Sequence, residues 1–183
     1  MNGVIIDDSE LKQVVKKLAK IPKEIPKAMA QAINRTVTHT ATLTKREVVK
    51  IYAVKQKDVS STLTKKRATA GSLRGYVKSN GNNIELSKFP YNPKVTSRRR
   101  KRVKVKVRRD RGYQVINTSP PAFTNTNQVW QRKGKNRFPR KKLYTLSIPS
   151  MISNPEIADP IKEKAAKKLE ERVRHEIERR LNV

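Results

Sequence analysis

Apolar residues recur at helical spacing at both ends of this chain and at alternating positions in its middle. Leu11, Val14, Val15 and Leu18 stand at i, i+3, i+4 and i+7 behind a capping Asp8 or Ser9. That spacing predicts a first helix, ended or kinked by Pro22. Pro26 suits the N1 position of a second helix. Its stripe runs through Ala28, Met29, Ala32, Ile33 and Val37 and is extended by Leu43, Val48 and Ile51 to about Tyr52. Threonines at 36, 38, 40, 42 and 44 give that helix weak intrinsic propensity. Val54–Leu63 predicts a short third helix with Lys57 and Asp58 on its polar face.

At the other end, Ser153-Asn154-Pro155-Glu156 has the form of a capping box, and Asp159-Pro160 offers a second helix start just inside it. Ile161, Ala165, Leu169, Val173, Ile177 and Leu181 follow at intervals of four. A strict four-residue row drifts around a helix, so this stripe winds and suits wrapping over a sheet or a neighbour.

Between the helical ends the period falls to two. Asn80-Gly81-Asn82-Asn83 is a strong turn signal, which predicts pairing of Arg74–Ser79 with Ile84–Ser87. A loop follows at Phe89–Pro93. Arg102 to Arg108 alternates strictly, with valines at 103, 105 and 107 on one face and Arg102, Lys104, Lys106 and Arg108 on the other. Asp110-Arg111-Gly112 turns the chain and Tyr113–Asn117 returns it. Short strands are predicted at Ala122–Thr126, Gln128–Arg132 and Leu143–Ile148. Helices, then antiparallel strands, then one long helix is the order of an α+β protein. The expected fold has N-terminal helices, a central antiparallel β-sheet with basic strands and loops, and a long C-terminal helix. It forms a single domain over 1–183, helical at 1–63, basic and β-rich at 64–150, and helical again at 153–183. No internal repeat is visible.

Charge changes the picture most. The chain has 183 residues and carries 44 Lys and Arg against 15 Asp and Glu, a formal net charge of +29. Residues 50–155 hold nearly all of the excess, with Asp58, Glu85 and Asp110 as the sole acids there. The two ends are close to balanced. The densest run, Arg98-Arg99-Arg100-Lys101-Arg102, leads into the basic strand, and a second cluster comprises Arg132, Lys133, Lys135, Arg137, Arg140, Lys141 and Lys142. Lysines can simply protect a strand edge. Density on this scale points further, to phosphate or an acidic protein partner. Tyr91, Tyr113, Phe123, Trp130 and Phe138 are scattered singly in sequence, so base-stacking platforms are not supported and backbone-only contact is the expected nucleic-acid mode.

Several functions are excluded or disfavoured. With 35% hydrophobic residues the expected core is thin, and self-repulsion at +29 calls for salt, a polyanion or neighbouring subunits. No run of 18 apolar residues predicts a membrane span, and the acidic N-terminus does not resemble a signal peptide. There is no Cys, hence no disulfide framework or thiol chemistry. His39 and His175 are expected at the surface. Glu163, Glu170, Glu171, Glu176 and Glu178 read as helix-face salt pairs. No nucleophile–base pair, metal-ligand spacing or Walker pattern is present. An enzyme is not expected, and no cofactor is implied.

Residues 122–151 carry something more specific. Ala122-Phe123, then Val129 to Arg132, then Gly134-Lys135-Asn136-Arg137-Phe138-Pro139, then a strand before the last helix, resemble the prophage minor tail protein Z family. Ala32-Ile33-Asn34-Arg35 resembles that family's Ala-Ile-Asn-Arg signature, and Arg98–Arg102 resembles a basic run found there. The likeness spans nearly the whole chain in matching order. Arg140 departs from it, standing where the pattern usually has an aliphatic residue.

The resemblance implies a non-enzymatic virion protein, a tail completion component at the head-proximal tail end or neck of a long-tailed phage. It would be assembled in the host cytoplasm and act in head–tail joining. Implied partners are copies of itself in a ring, commonly sixfold, the tail terminator or tail tube, and head–tail connector proteins. The basic clusters would face either the double-stranded DNA end, without reading sequence, or acidic neighbouring rings. No membrane is involved. Two rival readings remain: a stand-alone, non-sequence-specific nucleic-acid-binding protein of ribosomal type, and a basic enzyme acting on nucleic acid. The second would need Asp58, Glu85 and Asp110 to converge on metal ions.

Overall fold

The computed structural model describes residues 3–5, 24–95 and 102–181. The helix predicted behind Asp8 or Ser9 lies outside the described residues, as do Arg98, Arg99, Arg100 and Lys101. The elements are β1 (Gly3–Ile5), α1 (Glu24–Ile51), α2 (Gln56–Thr62), β2 (Leu63–Lys66), β3 (Tyr76–Ser79), β4 (Asn83–Glu85), β5 (Tyr91–Asn92), β6 (Lys104–Val105), β7 (Gln114–Val115), β8 (Phe123–Asn125), β9 (Gln128–Arg132), β10 (Arg140–Lys142), β11 (Tyr144–Ser147), α3 (Ile148–Ile152) and α4 (Pro155–Leu181). The architecture is α+β, as the element order predicts. None of the described helices is long and apolar enough to cross a membrane.

Two long helices frame the molecule. α1 and α4 lie antiparallel along each other, in a register marked by Gln31 with Arg179, Arg35 with Glu176, Glu47 with Lys164, and Tyr52 with Asn154. α1 starts at Glu24, so Pro26 sits third in its first turn, where no backbone donor is needed. The threonine-rich stretch is helical and packed inward, and back-bonding to the helix satisfies the buried hydroxyls of Thr36 and Thr44, while that of Thr40 has no hydrogen-bond partner among the described residues. Thr36 Oγ1 donates to the Ala32 carbonyl at 3.0 Å and Thr44 Oγ1 to that of Thr40 at 2.8 Å. Thr36, Thr40 and Thr44 are all buried. α1 ends where its chain is captured by a strand: Tyr52 bridges Arg108, Ala53 N donates to Val107 O, and Arg109 N donates to Ile51 O.

α4 opens differently from its predicted cap. Asn154 is the capping residue: its carbonyl accepts from the amides of Ile157 and Ala158, and its Oδ1 accepts from Glu156 N. Ser153 instead closes α3, its hydroxyl donating to Pro149 O. With Pro155 already at the first helical position, the start offered by Asp159-Pro160 is not used and Pro160 lies inside the helix.

The predicted central sheet is divided into four small antiparallel ladders, ordered β1-β3-β2, β11-β4, β5-β6-β7 and β10-β9-β8. The hairpin predicted across Asn80-Gly81 does not form. β3 pairs with β2 and with β1, a strand the sequence reading did not include, while β4 pairs with β11. A type I′ turn needs positive φ at both central residues, and no described glycine has it. Asn80 N extends the β2 pairing to Thr62 O instead. The tight two-residue hairpin lies elsewhere, between β8 and β9, where Thr126 (φ 47°) and Asn127 (φ 57°) both adopt the left-handed conformation.

Two apolar clusters hold these pieces together. The larger gathers Val48, Tyr52, Val59, Leu86, Phe89, Val103, Val105, Val129, Met151, Ile157 and Ile161 beneath the short ladders. Each fully buried Ile or Val there stabilises by about 1.5–3 kcal/mol. The smaller packs Ala30, Ile33, Val37 and Ala41 of α1 against Ala68 and Val77. Gly75 is needed at that contact, because a Cβ there would lie 2.6 Å from Ile33 Cγ2 and 2.8 Å from Val37 Cγ2.

Candidate functional site

The basic strand behaves as its alternation predicts. Val103 and Val105 are buried, Arg102 and Lys104 are exposed, and Lys106 is half-buried. Only Lys104–Val105 forms the ladder proper, since β5 and β7 offer two residues each. Arg108 is different from its neighbours. Its guanidinium donates to both carboxylate oxygens of Asp110 and, at 2.7 Å, to Glu156 at the start of α4. These bonds, the one to Asp110 foremost, hold Arg108 charged, and Arg108 in turn holds the Asp110 carboxyl below the usual carboxylate range. Arg108 therefore ties the basic strand to α4.

The second cluster sits on the β9–β10 hairpin. Val129 and Gln131 point inward, so Trp130 and Arg132 share the outer face. The register places Arg140 opposite Arg132 and Lys142 opposite Trp130. Two arginines facing each other across a ladder repel, which an anion would relieve. Lys142 is answered from within, its Nζ donating to Glu85 at 2.9 Å. That bond lowers the Glu85 carboxyl below its ordinary range and raises Lys142. By contrast Arg132, Lys133, Lys135, Arg137 and Lys141 are exposed, and none has a carboxylate partner among the described residues.

The aromatic residues are less scattered in space than in sequence. The Arg140 guanidinium lies 5.1 Å from the Trp130 ring and 4.7 Å from the Phe138 ring, with Arg137 a further 5.7 Å from Phe138. Phe138 is exposed. One aromatic–arginine cluster stands on the basic hairpin, its rings covered by guanidiniums. The Arg140 guanidinium thus lies over two rings at once. Reading β9 and β10 as a hairpin in advance would have revealed it, because Trp130 and residues 140–142 then come into register.

The four-residue motif in α1 is built for structure. Ala32 and Ile33 are buried. Asn34 makes a reciprocal pair with Ala68, donating from Nδ2 to its carbonyl at 2.9 Å and accepting from its amide at 2.8 Å. Arg35 reaches Glu176 of α4 at 3.1 Å. Glu176 is fully buried and also accepts from Arg179 at 2.8 Å. It is not the surface salt pair its sequence neighbourhood suggests. The other pairs expected on α4, Glu163–Lys167, Glu170–Arg174 and Glu171–Lys168, do lie on the helix surface.

Of the remaining motif positions, Phe123 is half-buried opposite Trp130, while Arg132, Arg137, Phe138 and Pro139 are exposed. Gly134 is required by neither space nor conformation, since a Cβ there meets nothing and its φ is not positive. Asp58, Glu85 and Asp110 go to three different cations, Lys88, Lys142 and Arg108. Among the described residues no group of His, Asp and Glu gathers at one point where it could hold a metal ion.

The chain matches the family model described as Prophage minor tail protein Z (GPZ) over residues 10–183. No curated protein and no solved structure matches it.

Proposed function

Because this chain belongs to the prophage minor tail protein Z family, a family of phage tail structural proteins, we propose that it completes the head-proximal end of the tail and takes part in joining tail to head. It does so as a ring of identical protomers that meets the tail terminator or tail tube on one side and the head–tail connector on the other. Its exposed cations, Arg102, Lys104, Arg132, Lys133, Lys135, Arg137 and Lys141, with the half-buried Lys106 and Arg140 beside them, are turned to the DNA end or to an acidic ring face.

The observation that carries this reading is the family match over residues 10–183, joined to the internal charge accounting. Arg108 and Lys142 are spoken for by carboxylates of their own chain, whereas the exposed hairpin cations are not. Partnerless charges repel one another in the free protomer, so binding that neutralises them stabilises the fold. A ring multiplies the same positive surface around one axis, which suits phosphate contact without base reading.

The test is reconstitution. Tails assembled without this protein are mixed with DNA-filled heads, with and without the purified chain, and infectious particles are counted. Restoration, together with a multiple of the 21.0 kDa protomer mass by light scattering at moderate salt, is expected. A strict monomer that binds duplex DNA tightly and leaves joining unrestored would overturn the reading in favour of a stand-alone nucleic-acid-binding protein.

A further inference from the structure

The helix pair changes character along its length. On α4, Ile157, Ile161 and Ala165 are buried. Each step of four residues advances about 40° around a helix, so Leu169, Val173 and Ile177 swing progressively aside and are only half-buried. The face that continues straight on from Ala165 is Lys168, Arg172, Glu176 and Arg179. Opposite it, α1 presents Gln31, Asn34, Arg35, Thr38 and His39. The result is a groove of about 720 Å³ between the two helices, closed at one side by Arg67. Arg67 is held there because the next residue, Ala68, is clamped by both bonds to Asn34.

The charge of this groove is unbalanced. Five permanent cations line it: Arg35, Arg67, Lys168, Arg172 and Arg179. Two carboxylates answer them, Glu176 to Arg35 and Arg179, and Glu171 to Lys168. Three positive charges are left over. Arg67 and Arg172 have no carboxylate within ion-pair distance among the described residues, although both border the same concavity. Convergent guanidiniums suit bidentate oxyanions. Neither Phe, Tyr nor Trp lines the groove, and His39 is the one ring it offers a base, so a stacked single strand is poorly served.

We propose that this groove is a docking site for an acidic protein segment, whose Asp or Glu carboxylates pair with Arg67 and Arg172. It is separate from the basic hairpin and takes the acidic segment in preference to it. In this reading the Asn34-Arg35 half of the α1 motif has a second purpose besides packing: Asn34 positions Arg67, and Arg35 absorbs the buried Glu176 so that the groove stays open.

The experiment titrates the full-length protein with a fluorescein-labelled hexa-aspartate peptide at 0.1 M salt and reads anisotropy. Two variants are compared with the parent: Arg67→Ser with Arg172→Ser, and Lys133→Ser with Lys135→Ser and Arg137→Ser. The groove variant is expected to bind at least tenfold more weakly and the hairpin variant less than twofold. If the groove double variant fails to fold, Thr38→Glu, which sets a fixed carboxylate at the groove, is expected to block the peptide to the same degree. The proposal is overturned if the groove variants bind normally or if the hairpin variant loses as much. It is overturned equally if inorganic phosphate competes as well as the peptide, or if an unlabelled single-stranded oligonucleotide displaces the peptide more effectively than unlabelled hexa-aspartate does.

Discussion

The helix pair and the basic ladders solve opposite problems with the same residue types. In the pair, most cations are met internally, Arg172 in the groove being an exception: Lys164 meets Glu47 at 2.7 Å, Arg35 and Arg179 meet the buried Glu176, and Lys167, Lys168 and Arg174 each have a glutamate one turn away. In the ladders, strands of two to five residues carry cations that mostly have no partner in their own chain. The pair therefore derives stability from its own contacts. The ladders borrow theirs from the apolar cluster beneath and leave their charge for something else. The difference teaches that a net charge of +29 is not one property of the molecule; it is the residue of a balanced part and an unbalanced one.

The contrast breaks most visibly at the buried carboxylate. Arg35→Ala removes one of the two guanidiniums facing Glu176, which is fully buried. A loss of about 2–3 kcal/mol is expected, below that of a wholly buried pair because Arg35 is itself half-exposed and Arg179 still meets the carboxylate, read from the denaturant midpoint. Glu176→Gln should cost less, because it removes the buried charge together with its requirement. Equal losses would mean that the pair contributes no more than a surface bridge. Gly75→Ala comes next. Its methyl would meet two branched Cγ atoms of α1 below 3.0 Å, so overpacking of about 2 kcal/mol is expected in the same assay. Thr126→Gly goes the other way. A β-branched residue at φ 47° is strained, and relief should raise stability by about 0.5–1 kcal/mol. No rise in melting temperature would show that the β8–β9 turn is held by its neighbours at no local cost.

Much of this was legible in the sequence, and the exceptions share a cause. α1, α2, α4, β8 and β9 fall within a few residues of their predicted positions, because their apolar periods are set by the elements they belong to. Val103 and Val105 face inward as the alternation of 102–108 requires. The failures are pairings. The signal at Asn80-Gly81 is local, but which strand lies beside β3 is decided by β1, whose three residues come from the far end of the chain. The aromatic–arginine cluster and the buried Glu176 are missed for the same reason: Trp130 meets Arg140, and Arg35 meets Glu176, only through folding. The cationic groove was partly readable, since a four-residue apolar row on a 3.6-residue helix must expose another face, and Lys168, Arg172, Glu176 and Arg179 occupy it.

Acidification sharpens the comparison at its junctions. Lys142 lowers the Glu85 carboxyl and Arg108 lowers Asp110. A folded-state pKa below the unfolded value means that the stabilisation is complete above the ordinary carboxylate range, near 4.5 for Glu85 and 3.8 for Asp110. It is lost as pH falls through the lowered folded values. Lys142→Met should lower stability at pH 7, where the pair's contribution is complete, and flatten the profile below about pH 5, so that variant and parent converge in acid. An unchanged acid limb would show that Glu85 titrates as a free side chain.

The smallest expected effect is the most informative about the ladders. Lys133, Lys135 and Arg137 are exposed and have no carboxylate within reach among the described residues. Replacing all three with serine removes three repelling charges and no ion pair, at the cost of one exposed contact between Arg137 and the Phe138 ring. Stability should therefore stay within about 0.5 kcal/mol of the parent, and a slight rise at low salt is the expected sign, since the repulsion relieved is largest where screening is weakest. If duplex DNA is the partner, the slope of log affinity against log salt should shrink by up to about 2.7, three phosphate contacts' worth, with no change in sequence preference. A large loss of stability would mean that the hairpin cations belong to the fold after all. An unchanged slope would move the partner of this surface from phosphate to protein.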